Sequence, residues 1–174
     1  MSKQGLDGQS AVRALRAAVD DLISAAQMAN DATSALPPAI EAEARGSADR
    51  QPRESGWTPS QVLAHALWWH ERYLAVLSAK VDRRPRPRLP GRLGDINLVG
   101  VSAYGDRSVD ALASALAAAA GALESQTSVL YALPPAERSR VRIVTRDASA
   151  PIDLDAFVRR VTGHLHGHAR ELRA

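Results

Sequence analysis

The sequence predicts an all-α protein, a four-helix bundle, and three features of the chain predict it. Alanine is abundant and aromatic residues make up only 4%, a bias that favours helix over sheet. Four long segments space their apolar residues three and four apart, as a helix does. The one stretch that alternates in strand fashion, "RVRIVT" at 140–145, has no partner strand. It is expected to be extended loop.

In chain order, residues 1–9 are expected to be disordered. The first long helix runs from about Ser10, its N-cap, to Asn30, with Val12, Leu15, Val19, Leu22 and Ile23 at helical spacing. "LPPAIEAEARGSADRQPRESG" (36–56) has three prolines and many charges. It reads as a long connection with one helical turn at "AIEAEA". The second helix opens at "WTPSQVLAHALWWHERY", where Thr58 can cap and Pro59 suits the first helical position, and it ends near Lys80 or Val81. A second long connection, "DRRPRPRLPGR" (82–92), follows. "GDINLVGVSAYGD" (94–106) is either a short helix or a broken start to the third. Ser108 caps the third helix and Pro134 and Pro135 stop it. The fourth runs from about Asp153, its cap, to Arg173, with Asp155 in the first turn where the helix dipole favours an acid. Length suits a single domain over residues 1–174.

Composition narrows the function classes. Hydrophobic residues form 45% and charged residues 24% of the chain, as in ordinary globular proteins. No run approaches the ~18 apolar residues of a membrane span, and the polar start "MSKQGLDGQS" lacks a signal-peptide core. A cytoplasmic location, with no membrane partner, is expected. The chain has no cysteine. That excludes disulfides, thiolate ligands and a cysteine nucleophile, so any metal must sit on histidine, carboxylate or water. The net charge of +3 is mild, with much of it in the 82–92 connection. That connection reads either as an arm for phosphates or as a solvated, proline-stiffened loop. No aromatic platform accompanies it, so nucleic acid is not the expected partner. The small-residue face in "SALAAAAGALES" suits close packing within the bundle or a homodimer.

Three of the five histidines lie in "TGHLHGH" (162–168). A dinuclear His-x-His-x-Asp-His hydrolase motif would need a buried strand ahead of it and further ligands behind. The preceding "DLDAFVRRV" is helical instead. On a helix turning about 100° per residue, His168 joins the stripe of Leu154, Phe157, Val158, Val161, Leu165 and Leu172, and His164 lies about 40° away on its edge. His166 points about 135° from the stripe's centre, towards solvent. His164 and His168 are thus an i, i+4 pair that can chelate one cation. In the second helix, periodicity slightly favours His70 as the buried histidine. Depth favours His65, which lies about 9 Å from that helix's start while His164 and His168 lie about 8–14 Å from the end of the fourth. Antiparallel packing of the two helices would put these three residues at one level. A His65, His164, His168 set with open positions fits zinc, nickel or ferrous iron. Trp69, His70, Arg72 and Tyr104 are candidates for the surrounding pocket. Trp68 leans towards the polar face.

"GWTPSQVLAHALWWHERY" together with "HLHGHARELR" resembles the DinB-like superfamily, which includes the mycothiol-dependent maleylpyruvate isomerase type and the damage-inducible YfiT-like proteins. The marks are Trp57 at the start of the second helix, His65 eight residues on, and His164 with His168. "DINLVGVSAYGDR" also resembles the segment before the family's third helix, with Asp95, Asn97 and Arg107. The resemblance implies an up-down-down-up bundle, a crossover at 82–92, and a divalent metal on His65, His164 and His168. It implies activities in which water or a low-molecular-weight thiol such as mycothiol or bacillithiol acts on a small-molecule substrate, by hydrolysis or S-transfer. The alternative expectation is a non-catalytic, homodimeric metal-binding module of stress response.

Overall fold

The computed structural model describes residues 7–34, 57–85, 87, 93–104, 106–145 and 150–174, with 93–98 described by backbone alone. The start of the chain before Asp7, the turn at "AIEAEA" and most of the 82–92 connection lie outside the described residues. Six helices occupy the described residues: α1 Gly8–Ser34, α2 Pro59–Val81, α3 Leu93–Tyr104, α4 Val109–Tyr131, α5 Pro135–Arg138 and α6 Leu154–Arg173. The protein is all-α, as the sequence predicts.

Local chemistry explains where the helices begin. Asp7, not Ser10, caps α1: its carboxylate accepts from the Ser10 N–H at 2.8 Å and from the Ser10 hydroxyl at 2.7 Å. A carboxylate placed three residues before a backbone N–H caps as well as a hydroxyl does, so the helix starts earlier than expected. Thr58 and Gln61 form a capping box on α2. The Thr58 hydroxyl accepts from the Gln61 N–H, and the Gln61 side chain accepts from the Thr58 N–H at 2.9 Å. Ser108 and Asp153 cap α4 and α6 through the N–H groups of Ala111 and Ala156.

The end of α2 is less ordinary. The Arg84 N–H reaches back to the Ala79 carbonyl at 2.8 Å and the Arg83 N–H to that of Lys80 at 3.3 Å, the paired bonds of a Schellman stop. Arg83 therefore carries a left-handed φ of 55°. Glycine usually fills this position, and a side chain there costs roughly 1–2 kcal/mol.

Contacts between helices fix their relative directions. Arg16 pairs with Glu124, and Gln27 with Asp110, so α1 and α4 are antiparallel. Tyr73 meets Phe157 while His65 meets His164, so α2 and α6 are antiparallel. The Tyr131 hydroxyl bonds to Asp155 at 2.6 Å, joining the end of α4 to the start of α6. These directions are compatible with the expected up-down-down-up order. Between α5 and α6, Ile143 and Ile152 exchange two backbone hydrogen bonds of 2.8 Å in an isolated bridge. It pins the connection that the alternating pattern of 140–145 had marked as extended.

Nine consecutive residues of α2, Val62 to His70, are buried. The sequence expectation that Trp68 faces the polar side is thus overturned: it is 2% exposed. The separate helix α3 covers that face. Gly100 lies so close that a Cβ there would sit 3.2 Å from Trp68, so even an alanine would press on the indole by a few tenths of an ångström.

Candidate metal centre

The backbones of α2 and α6 come close at few points, and rings fill the seam between them. The capping box fixes the start of α2 and thereby the turn that carries His65. The i, i+4 spacing on α6 brings the His164 and His168 rings edge to face, with centres 4.6 Å apart. The His164 Nε2 lies 3.2 Å from the His65 Nε2 and 3.0 Å from the His168 Nε2. One ring nitrogen from each residue lies within 4.8 Å of the other two, an arrangement that could hold a metal ion. His65 and His168 are buried, and His164 keeps partial solvent exposure.

Aromatic rings wall the cluster. Trp57, the residue before the α2 cap, lies 4.7 Å from the His65 ring and 6.2 Å from the His168 ring. Trp69, one turn beyond His65, meets its edge at 6.4 Å. Glu171 accepts from the His168 Nδ1–H at 3.0 Å. A carboxylate on that nitrogen fixes the tautomer that leaves Nε2 with its lone pair, the usual support of a metal-bound imidazole. Burial, reinforced by His164 and His168 nearby, pulls the His65 pKa from 6.5 down to about 2. A ring held neutral is the form that ligates.

The donor set fits a cation. Three imidazoles that turn nitrogens towards one point cannot satisfy each close contact with its own proton. With the His168 Nε2 kept as an acceptor by Glu171, the single Nε2 site of His164 can donate one proton or accept one. A cation serves all three lone pairs together. Ligands at 2.0–2.1 Å in a tetrahedral zinc site lie about 3.3 Å apart, close to the separations of 3.2 and 3.0 Å seen here.

The other candidates are placed elsewhere. His70 is buried, donates from Nδ1 to the Ala66 carbonyl at 2.9 Å, and has no partner at Nε2. Burial lowers its pKa, and the Ala66 bond partly opposes that. It does not join the three clustered histidines. The Arg72 guanidinium stacks over Trp68 at 4.7 Å. The Tyr104 hydroxyl donates to Glu71 at 2.5 Å, and burial together with that carboxylate raises its pKa to about 12. Tyr104 thus ties α3 to α2, while Arg72 packs on a neighbour of its own helix, and neither meets the histidines there. His166 is exposed and bonds to Asp21 at 3.0 Å. The side chains of Asp95 and Asn97 lie outside the description. Sequence reasoning missed Glu171 as the partner of His168, although its position three residues on along a helix was a usable signal. It had noted Trp57 without giving it a place in the cluster.

A family model described as the DinB superfamily matches residues 30–172. No curated protein and no solved structure matches the chain.

Proposed function

The chain belongs to the DinB superfamily, and on that premise we propose that it is a divalent-metal-dependent enzyme. In this reading His65, His164 and His168 hold zinc, nickel or iron, and water or a low-molecular-weight thiol attacks a small-molecule substrate by hydrolysis or S-transfer. The observation that carries the reading is the convergence of three ring nitrogens within 4.8 Å of one another. A bound divalent cation supplies acidification of water or thiol and polarisation of a carbonyl. The protein's own groups do the rest. His65 stays neutral through burial, Glu171 orients His168, and Trp57 with Trp69 keeps water from the buried side of the rings. His164, the partly exposed ligand, marks the side from which substrate would approach. The proposal includes a cytoplasmic location. No described helix is long and apolar enough to cross a membrane.

A second reading, a non-catalytic homodimeric metal-binding module, is favoured by one observation. Two of the three clustered histidines, His65 and His168, are buried and only His164 keeps partial exposure, which leaves little of the cluster open to a substrate. Elemental analysis of tag-free protein tests the metal shared by both readings. The wild type is expected to carry stoichiometric divalent metal and His168→Ala to lose it; full retention by the variant would sink both. Turnover of thioester or amide substrates by metal-loaded protein, with mycothiol, bacillithiol or water as acceptor, then separates enzyme from module.

A further inference from the structure

Two cavities flank the C-terminal end of α2. One, of about 540 Å³, lies between that end, the end of α4, and α5. The other, of about 260 Å³, lies against residues 142–144. They share Ala79, Lys80 and Arg84, so they form one groove wrapped around the helix end. Its floor is apolar: Leu130, Val141 and Ile143 are buried within it. Two of the few large apolar side chains left exposed, Val129 at 46% and Val144 at 37%, also line it.

The rim is cationic. Lys80, Arg83, Arg84, Arg140 and Arg142 line the groove against the single carboxylate of Glu137. Arg84 is held by Asp82 at 2.6 Å, and Arg142 donates to the carbonyls of Ser139 and Val141. Lys80, Arg83 and Arg140 form no ion pair among the described residues. Arg83 is brought to this rim by the left-handed turn that glycine would adopt without strain. Like charges gathered with little counter-charge among the described residues repel one another, and a bound anion relieves that repulsion.

We propose that this groove binds an amphipathic anion, a phosphate or carboxylate head carried on an acyl or aryl body. Lys80, Arg83 and Arg140 meet the head, and Val129, Val141 and Val144 carry the body. The larger cavity falls within the roughly 300–1,000 Å³ of small-molecule sites. No aromatic side chain lines the groove, so the stacking platform of a nucleic-acid strand is missing. Lys80 follows His65 by fifteen residues of one helix, about 22 Å at 1.5 Å per residue. The site is therefore separate from the histidine cluster, and the inference stands whether or not that cluster works as proposed.

Calorimetric titration of the full chain with octyl phosphate, against inorganic phosphate and octanol, is the test. Octyl phosphate is expected to bind about tenfold or more tighter than either. Arg140→Glu should weaken it by a further factor of about ten, and Arg83→Gly, which keeps the turn its glycine prefers, by several-fold. Both variants should keep their metal content. Equal binding of octanol, or unchanged affinity in both variants, overturns the proposal. So does release of the metal by octyl phosphate, which would put the ligand on the histidines. Vesicles of phosphatidylcholine with and without phosphatidylglycerol separate a lipid source from a free one. Attachment to phosphatidylglycerol vesicles with no binding of soluble octyl phosphate also overturns the small-molecule site.

Discussion

The two ends of α2 show opposite solutions to terminating a helix. At the N-terminal end each local preference is met: Thr58 caps, Pro59 starts the first turn, Gln61 closes the box, and nine buried residues begin at Val62. That order carries His65 to a fixed depth, where burial keeps its ring neutral. At the C-terminal end an arginine occupies a left-handed position, and cations gather around an apolar groove. The first end holds the neutral His65 ring out of water, and the second holds charge in it. The difference teaches that the same helix can present a desolvated, neutral imidazole at one end and hydrated cations at the other, because burial shifts the easily titrated histidine while arginine keeps its charge by its own chemistry.

Acid should separate the two ends most strongly. The folded pKa values of His65 and His70 lie below 6.5, while the unfolded chain titrates near 6.5. Below that pH the unfolded state takes up protons that the folded rings refuse. Stability is therefore full above about pH 6.5 and falls below it, by up to ~1.4 kcal/mol per pH unit for each histidine. Denaturant unfolding of metal-free protein at pH 7 and pH 5 should differ by up to about 4 kcal/mol. The arginines at the other end contribute nothing to that slope. A flat profile would mean that the rings are protonated in the fold, and the contrast between the ends would collapse.

Next comes Glu171→Gln. The amide can no longer accept as a carboxylate, and metal affinity should fall by about 10–100-fold with the midpoint of unfolding nearly unchanged. A competition titration with a chelator reads this directly, and unchanged affinity would remove Glu171 from the site. The smallest effects sharpen the comparison of the caps. Thr58→Ala should cost about 1 kcal/mol, whereas Arg83→Gly should leave stability equal or raise it by about 0.5 kcal/mol. Paired denaturant curves check both, and a destabilising glycine would show that Arg83 makes contacts worth more than its strain.

Much of this was legible in the chain. Thr58 and Pro59, Ser108, and Asp153 announce helix starts because capping depends on residues three apart, a distance the sequence displays. The pairing of His164 with His168, and the separation of His166 from both, follow from helical pitch alone. Other features were illegible for an equally physical reason. Trp68 reads as polar-facing on its own helix, and only the arrival of α3, with Gly100 against the indole, buries it. Periodicity slightly favoured His70 as the buried histidine, and both it and His65 proved buried. What tells them apart is which ring meets α6 and which turns back to Ala66.

By itself the sequence determined the all-α class, the main helices to within a few residues, and the candidate ligands, since these rest on propensity, capping and period, all local along the chain. The tertiary structure alone decided that the nitrogens converge, that Trp57 covers two of the rings, and that cations from α2 and from the segment after α5 share one groove. Those facts depend on the distance between elements far apart in the chain, and packing sets that distance.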